Sequence, residues 1–200
     1  MKRIFKKIIK KIIGFFTGYL KIKLYLKNKP LGSRYIIFGG HWSDHEGWLV
    51  LNEEEQDITK KFRLPDESVD VIFTEHVLEH LGFIGGINFL NESYRVLRKN
   101  GLIRIVCPTI EKLVEANFDP ENDKNDKTYI EKCLNPLYQK EKDILNKLGL
   151  STVLEEDSKT FFLNSLFLKH EHKFIWSETL LKKIMKKIGF NEIAVLKPNE

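Results

Sequence analysis

Four short apolar segments, rich in β-branched residues, limit what this chain can fold into. They lie at residues 35–38, 48–51, 69–73 and 102–107, and residues typical of turns adjoin them. Such segments predict buried β-strands, because a strand covered on both faces is apolar along its whole length. Helical spacing follows the third segment, and strands that alternate with helices predict an α/β fold with a mostly parallel sheet. In such sheets the ligand lies at the carboxyl ends of the strands.

The helices of this pattern have recognisable ends. Apolar residues repeat at helical spacing between 87 and 97, and Asn100-Gly101 predicts a left-handed end to that helix. Ser177 predicts the N-cap of a later helix. A last strand is predicted over residues 191–196, which leaves the C-terminal end of the sheet truncated.

The first crossover is unusually short. Only nine residues, 39–47, join the first two predicted strands. A parallel crossover that contains a helix needs about a dozen residues or more. Either the first crossover helix is vestigial, or the second strand is not a parallel neighbour of the first.

The chain is long enough for one well-buried domain and an appendage. It has 200 residues, and about 150 to 160 residues suffice for a single core. We divide it into a basic N-terminal helix (1–30) and a domain (31–200) that contains a helical insertion at about 110–172. Two cysteines cannot build a disulfide framework, which indicates a reducing compartment and predicts a cytoplasmic location.

The net charge of +5 is unevenly distributed along the chain. Residues 1–34 hold eleven lysines and arginines and no acidic residue, so the remaining residues carry a net charge of −6. A nucleic-acid-binding protein more often has its basic surface on the folded domain. The charge distribution therefore argues against a specific nucleic-acid partner.

The basic N-terminal segment predicts an amphipathic helix. Apolar residues from Phe5 to Leu20 recur at spacings of three and four, and basic residues occupy the opposite arc. The longest uncharged stretch, 12–20, is shorter than the roughly 20 apolar residues that a transmembrane helix needs. Such a helix is typical of an anionic membrane surface, so we expect residues 1–26 to bind the inner face of the membrane peripherally. The alternative is a helix packed on the domain with its lysines in water.

Four longer segments contain motifs that occur together in one family. They are IIFGGHWSDHEGWLVLN (36–52), LPDESVDVIFTEHVLEHL (64–81), NESYRVLRKNGLIRIVCP (91–108) and HKFIWSETLLKKIMKKIGF (172–190). In order and spacing they resemble the class I S-adenosylmethionine-dependent methyltransferases, most closely the small bacterial type 11 branch often associated with surface-glycan genes. The resemblance implies a Rossmann-like methyltransferase sheet and S-adenosylmethionine as the cofactor.

The resemblance also implies where the cofactor binds. Gly39 and Gly40 correspond to the family's glycine turn, where the backbone approaches the methionine portion of the cofactor. Asn52 stands at the position of the acidic residue that binds the ribose hydroxyls, and Glu53 adjoins it.

Two further positions complete this implied cofactor site. Asp57-Ile58 resembles the segment that meets the adenine. Glu75 follows the third strand and is expected at the reactive end of the cofactor.

The motif Glu75-His-Val-Leu-Glu-His80 offers groups for acid–base catalysis. In the methyltransferase interpretation, His76 or His80 can take a proton from an acceptor hydroxyl, because imidazole titrates near neutral pH. Glu79 can orient an imidazole. The alternative is that Glu79 and His80 only order the loop.

The same residues match the HxxEH motif of a class of zinc peptidases. On an α-helix, His76 and His80 would share a face and could bind Zn²⁺, with Glu79 as general base. Glu111 or Glu115 could then supply a third ligand. The methyltransferase-like residues on both sides of the motif favour a site without a metal.

The sequence therefore predicts methyl transfer to an oxygen or nitrogen of a small-molecule, sugar or lipid-linked glycan acceptor. A second hypothesis is a non-catalytic, methyltransferase-like module at the membrane, because the glycine turn and Asn52 depart from the family pattern. A zinc hydrolase is the third hypothesis. The oligomeric state stays open.

Overall fold

The fold is seen in a computed structural model of the chain, which describes residues 2–39, 45–115, 119 and 122–196. The chain forms two compact units, one of residues 1–109 with 174–200 and the other of residues 110–173. The second unit nearly coincides with the helical insertion predicted at about 110–172.

A four-stranded sheet organises the described part of the first unit. Its strands are β1 (Tyr35–Phe38), β2 (Leu49–Leu51), β3 (Val69–Glu75) and β4 (Leu97–Val106). The order is β2-β1-β3-β4, and each neighbouring pair is parallel. The predicted α/β fold with a Rossmann-like, mostly parallel sheet is confirmed. Since the chain goes from β1 to β2 on one side and then to β3 on the other, a topological switch point lies between β1 and β3.

The short first crossover joins parallel neighbours. Ile36 pairs with Leu49, and Phe38 pairs with Leu51. Of the two alternatives left by the sequence, the parallel neighbour with a reduced crossover is therefore correct. Residues 39 and 45–48 form no helix, while 40–44, which include Gly40, lie outside the described residues.

Helices flank the sheet and make up most of the second unit. In chain order they are α1 (Lys2–Asn28), α2 (Gly82–Val96), α3 (Ile110–Glu115), α4 (Lys124–Tyr129), α5 (Asn135–Leu137), α6 (Gln139–Lys147), α7 (Val153–Glu156), α8 (Ser158–Leu168) and α9 (Glu178–Ile188). A 3₁₀ turn (Leu78–His80) precedes α2, and a π-helical turn (Ile130–Leu134) follows α4.

The core of the first unit lies between the sheet and α2 and α9. Ile36, Phe38, Ile72 and Phe89 are completely buried there, each contributing about 1.5–3 kcal/mol by leaving water. Trp176 is also fully buried, directly before α9. The predicted N-cap of α9 is confirmed, since the Ser177 hydroxyl accepts a hydrogen bond from the Leu180 N–H at 3.1 Å.

Two predictions from the sequence are wrong, namely where α2 ends and that a last strand forms. Helix α2 ends at Val96, and Asn100-Gly101 lies inside β4, where a register shift leaves extra residues opposite β3. Asn100 does adopt the left-handed conformation, with φ of +64°, but it serves a bulge rather than a helix cap. Residues 191–196 form no strand, and Val195 is exposed instead of packed on the sheet.

The bulge in β4 supplies the partner of a buried acid. Arg98 forms an ion pair with Asp70, which is only 4% exposed near the amino end of β3. The other oxygen of Asp70 accepts hydrogen bonds from the Gly32 and Arg34 N–H groups, each at 2.8 Å. Burial alone would raise the pKa of Asp70, but these hydrogen bonds and the Arg98 charge outweigh it and lower the pKa. Asp70 thus ties β3 to the chain that enters β1.

The second unit has a small core of its own. Ile130, Leu134 and Tyr138 are buried together, and Phe161 packs against them. The Tyr138 hydroxyl donates a hydrogen bond to the Phe161 carbonyl oxygen at 3.1 Å. Lys169 and Glu141 form an ion pair at 2.7 Å within the same unit.

Helix α1 is seated on the domain through two glycines. A Cβ at Gly14 would lie 2.5 Å from the Cβ of Glu54, and a Cβ at Gly18 would lie 2.2 Å from the carbonyl oxygen of Glu55. Both distances are impossibly short, so only glycine lets the helix approach the backbone this closely. Further along, Ile22 is buried in the main core. The N-terminal helix is therefore part of the domain fold.

Polar contacts hold both halves of α1 in place. Lys10 pairs with Glu54, and Lys21 pairs with Glu55. The hydroxyl of Tyr25 donates to the carbonyl oxygen of Tyr35 at 2.9 Å and accepts from its N–H at 2.8 Å, at the first residue of β1. None of the helices in the described part of the chain is long and apolar enough to cross a membrane.

The close packing of α1 at Gly14 and Gly18 predicts that one glycine-to-alanine substitution changes stability in the direction opposite to helix propensity. In a solvated helix, Gly18→Ala would stabilise by about 1 kcal/mol through helix propensity. Against the Glu55 carbonyl we expect it to lower the free energy of unfolding by about 1–3 kcal/mol. Thr17→Ala is the matched control, because Thr17 is exposed and its hydroxyl bonds only to carbonyl oxygens of its own helix, so the free energy of unfolding should change by less than about 1 kcal/mol. Urea unfolding measures both, and a stabilised Gly18→Ala protein would show that α1 is not seated there.

Candidate functional site

The carboxyl ends of β1 and β3 meet at the switch point. Phe38 pairs with Thr74, and the Thr74 hydroxyl donates a hydrogen bond to the Phe38 carbonyl oxygen at 3.3 Å. One residue beyond each strand end, the chain turns at Gly39 and at His76. The structure thus brings two of the predicted site residues to the same edge of the sheet.

Gly39 occupies a conformation that favours glycine. Its φ is +81°, and a Cβ there would lie 2.3 Å from a methyl carbon of Val77. Its N–H donates to the Leu51 carbonyl oxygen at 3.0 Å, which ties the turn to the end of β2. The glycine is therefore required both by its backbone angle and by the side chain that follows His76.

His76 is an exposed imidazole backed by a buried carboxylate. Its Nδ1 lies 3.3 Å from Oε1 of Glu79, and the side chains are 69% and 0% exposed. The His76 backbone has φ of +51°, a left-handed conformation uncommon outside glycine, and its N–H donates to the Val106 carbonyl oxygen at 2.9 Å. Backbone strain of this kind concentrates at functional sites.

The backbone of the residue that carries this buried carboxylate is held by a hydrogen bond from a distant part of the chain. Leu78 and Glu79 are both buried within the 3₁₀ turn, and the Glu79 carbonyl oxygen accepts a hydrogen bond from the Phe174 N–H at 3.1 Å. His80 ends the same turn with its N–H bonded to the Val77 carbonyl oxygen. Glu75 is exposed at the end of β3.

The zinc-peptidase alternative required residues 76–80 to form an α-helix, and this is wrong. His76 is in a left-handed turn, and only Leu78–His80 are helical, as a single 3₁₀ turn. His76 and His80 therefore do not lie four residues apart on one α-helical face, which is the arrangement that this motif needs. Glu111 lies in α3 and the Glu115 side chain is outside the described part of the structure.

The end of β2 presents a buried acceptor. The side-chain oxygen of Asn52 is inaccessible to solvent and has no hydrogen-bond partner among the described residues. The Asn52 N–H donates to a carboxylate oxygen of Glu55 at 3.1 Å, and Glu55 also pairs with Lys21 of α1. Glu53, by contrast, is exposed. Asn52 therefore has an acceptor available for a hydroxyl, and Glu55 holds its backbone.

The carboxylate of Asp57 is bound by residues of its own turn. Its carboxylate accepts hydrogen bonds from the Thr59 N–H at 3.1 Å and the Thr59 hydroxyl at 2.6 Å, and it pairs with Lys60. Burial would raise the pKa of Asp57, but these contacts outweigh it and lower the pKa. The adjacent Ile58 packs on the main core. Asp57 shapes this loop.

Cys107 lies just beyond β4, and its thiol is unreactive. Burial, and secondarily the charge of Glu79, raise the pKa of its thiol to about 12. It is therefore protonated at neutral pH, as expected for a small apolar side chain and not for a nucleophile.

Three residues that shape the candidate site were not identified from the sequence. Val77 fills the space beside Gly39, Thr74 links the two central strands, and Glu55 supports the backbone of Asn52. Only Glu55 had a readable signal, because an acid three residues after Asn52 is suited to a local turn. The other two depend on strand register.

Comparison with known proteins adds one family match. Residues 44–105, under a third of the chain, match the sequence model of a family described as "Methyltransferase domain". This segment includes Asn52, Glu75, His76, Glu79 and His80. The match supports enzymatic methyl transfer with S-adenosylmethionine as the cofactor.

Similarity to solved and curated proteins is more distant. A crystal structure of a SAM-dependent methyltransferase from Thermotoga maritima, described as a possible histamine N-methyltransferase, is 17% identical, with a TM-score of 0.41. The alignment covers 96% of this chain and 82% of that one. At this level the similarity supports no argument about function. No curated protein matches the sequence significantly.

The Gly39 turn gives a prediction that separates backbone strain from crowding. Gly39→Ala should lower the free energy of unfolding through its positive φ, about 1–2 kcal/mol, and through contact with Val77, about 1–3 kcal/mol more. Gly32→Ala is the matched control, because Gly32 has φ of +95° and nothing within 4 Å of its Cβ position. Adding Val77→Ala should recover the difference between them in urea unfolding. Equal losses at Gly32 and Gly39 would contradict the crowding.

Proposed function

We propose that this chain is an S-adenosylmethionine-dependent methyltransferase whose reaction takes place at the carboxyl edge between β1 and β3. The observation that supports this most is the exposed His76 imidazole above the buried Glu79 carboxylate, at the switch point and inside the family match. The position is where parallel α/β sheets bind ligands. The side chains suit deprotonation of an acceptor.

The residues present fit the cofactor at two points. The unpartnered Asn52 oxygen can accept a hydrogen bond from a ribose hydroxyl, and Gly39 gives the β1 turn the backbone conformation that close approach requires. S-adenosylmethionine would supply an electrophilic methyl group attached to a sulfonium centre. Gly40 belongs to the same proposed site by family likeness alone.

His76 is the proposed general base. A carboxylate oxygen accepts hydrogen bonds, so in this proposal the Nδ1 of His76 carries the hydrogen that faces Oε1 of Glu79. That tautomer leaves the Nε2 lone pair free to accept a proton from an acceptor hydroxyl or amine. The carboxylate stabilises the imidazolium that forms, and the left-handed turn holds the ring at the edge of the sheet.

We further propose an acceptor with an oxygen or nitrogen nucleophile, such as a sugar of a lipid-linked or surface glycan. The support is the family likeness, the exposed acid Glu75 next to His76, which can accept hydrogen bonds from sugar hydroxyls, and the basic helix at the N-terminus. In this proposal the protein works in the cytoplasm at the inner face of the membrane.

Cofactor binding tests the first part of the proposal. Titration calorimetry should detect S-adenosylmethionine binding to the full chain, and Asn52→Ala should weaken it about tenfold through loss of one buried hydrogen bond. Asn91→Ala is the matched control, because Asn91 is exposed on α2 and should bind like the wild type. No binding by a folded wild-type chain would instead support the non-catalytic module.

The proposed base has a test of its own. His76→Asn should reduce transfer of a labelled methyl group to membrane-extracted glycans by about a hundredfold or more, while the cofactor Kd stays unchanged. The folded state should persist, because the side chain is mostly exposed. Loss of the acidic limb of the wild-type pH–rate profile in the variant would identify the base. Wild-type rates with an unaltered profile would exclude His76 from this role.

A further inference from the structure

Helix α1 presents a long apolar surface that the domain does not cover. Eleven large apolar or aromatic side chains between Ile4 and Leu24 are exposed by 39 to 67%. Among them are Phe5 at 65%, Ile13 at 59% and Phe16 at 61%. A continuous apolar surface of this extent is unusual on a monomer and marks an interaction site.

The docking contacts explain why this surface faces away from the domain. On a helix of 3.6 residues per turn, Gly14, Gly18 and Ile22 share one arc, centred roughly 140° from the centre of the exposed apolar arc. Lys10 and Lys21 border the glycine arc and pair with Glu54 and Glu55. The acids of the domain therefore hold the helix by its cationic side and leave its apolar side outward.

The charge along the same helix selects the kind of partner. Residues 1–34 contain eleven basic residues and no acid. Lys6 is exposed at the edge of the apolar arc, and Lys23 is exposed within it. A second copy of this chain would bring the two sets of lysines together and would be disfavoured by repulsion. An anionic lipid surface satisfies both features, since headgroups attract the lysines while the acyl boundary takes up the apolar side chains.

From this arrangement we infer that the outward arc of α1 is a membrane-docking surface for anionic phospholipid, presented by the folded domain. The helix lies in the interface and does not unfold from its seat. The bilayer contacts the apolar arc, and the Glu54–Glu55 backbone contacts the glycine arc on the other side. This inference does not depend on the proposed methyl transfer.

Vesicle co-sedimentation of the full chain tests the inference. The wild type should pellet with phosphatidylglycerol-containing vesicles at low salt, and much less with phosphatidylcholine alone. Lys6→Gln and Lys23→Gln should each weaken partitioning about fivefold. A variant with Ile8→Ser, Ile12→Ser and Phe16→Ser should lose more than about tenfold, because all three side chains are exposed and available to the bilayer.

The matched control removes exposed apolar residues elsewhere. Ile144→Ser, Leu148→Ser and Leu168→Ser alter side chains that are 58 to 70% exposed in the second unit and should leave partitioning unchanged. Equal loss in this control, or indifference of the wild type to lipid charge, would overturn the inference. So would a dimer in analytical ultracentrifugation that dissociates in the α1 variant without any vesicle binding, which would identify a second copy as the partner. Methyl transfer is not measured in any arm, so failure here leaves the proposed activity intact.

Discussion

The parallel pairing of β1 with β3 is the constraint on which the rest of the structure depends. It sets Phe38 beside Thr74 and so places the Gly39 and His76 turns at one edge. At the opposite end, Asp70 receives two backbone N–H groups and the charge of Arg98, which fixes how β3 meets the segment before β1. The pairing is thus fixed at its amino end by a buried acid, and its carboxyl end forms the edge at which the reaction is proposed.

The edge combines groups that differ sharply in their exposure. Glu79 is fully buried, and yet it touches an imidazole that is mostly in solvent. A buried carboxylate is costly unless it has a hydrogen-bond partner, and the Nδ1 of the exposed His76 imidazole provides one at 3.3 Å. The strained His76 backbone is held by its hydrogen bond to β4 and by the 3₁₀ turn. The fold therefore stabilises a locally unfavourable arrangement.

The sequence predicted those parts of the fold that follow from local patterns. The strands, the parallel sheet and the Ser177 cap were accessible because burial and capping leave short, readable signals. The Asn100-Gly101 turn was recognised, but its place in a bulge depends on pairing with β3, which no local pattern contains. The strand expected at 191–196 failed because an apolar run becomes a strand only by pairing with one, and this run pairs with no described strand although β4 lies at the edge of the sheet.

Prediction of the site met the same limit. His76 and Glu79 were found together because they are three residues apart, whereas Val77 against Gly39 is a contact between elements 38 residues apart in sequence. The packing of α1 against residues 54 and 55 was not predicted, for the same reason. No local pattern singles out Gly14 and Gly18, and their role is seen only when the Glu54–Glu55 backbone is placed against them.

The four residues 52–55 belong to two assemblies at once. Asn52 ends β2 and offers its unpartnered oxygen, while Glu54 and Glu55 carry the backbone on which α1 rests and the carboxylates that pair with its lysines. Glu55 joins the two directly, since one carboxylate contacts both the Asn52 N–H and Lys21. Whatever shifts the resting position of α1 also shifts the free energy of this turn. By thermodynamic reciprocity, ligand binding at Asn52, as proposed, and the packing of the helix would then influence each other in equal measure.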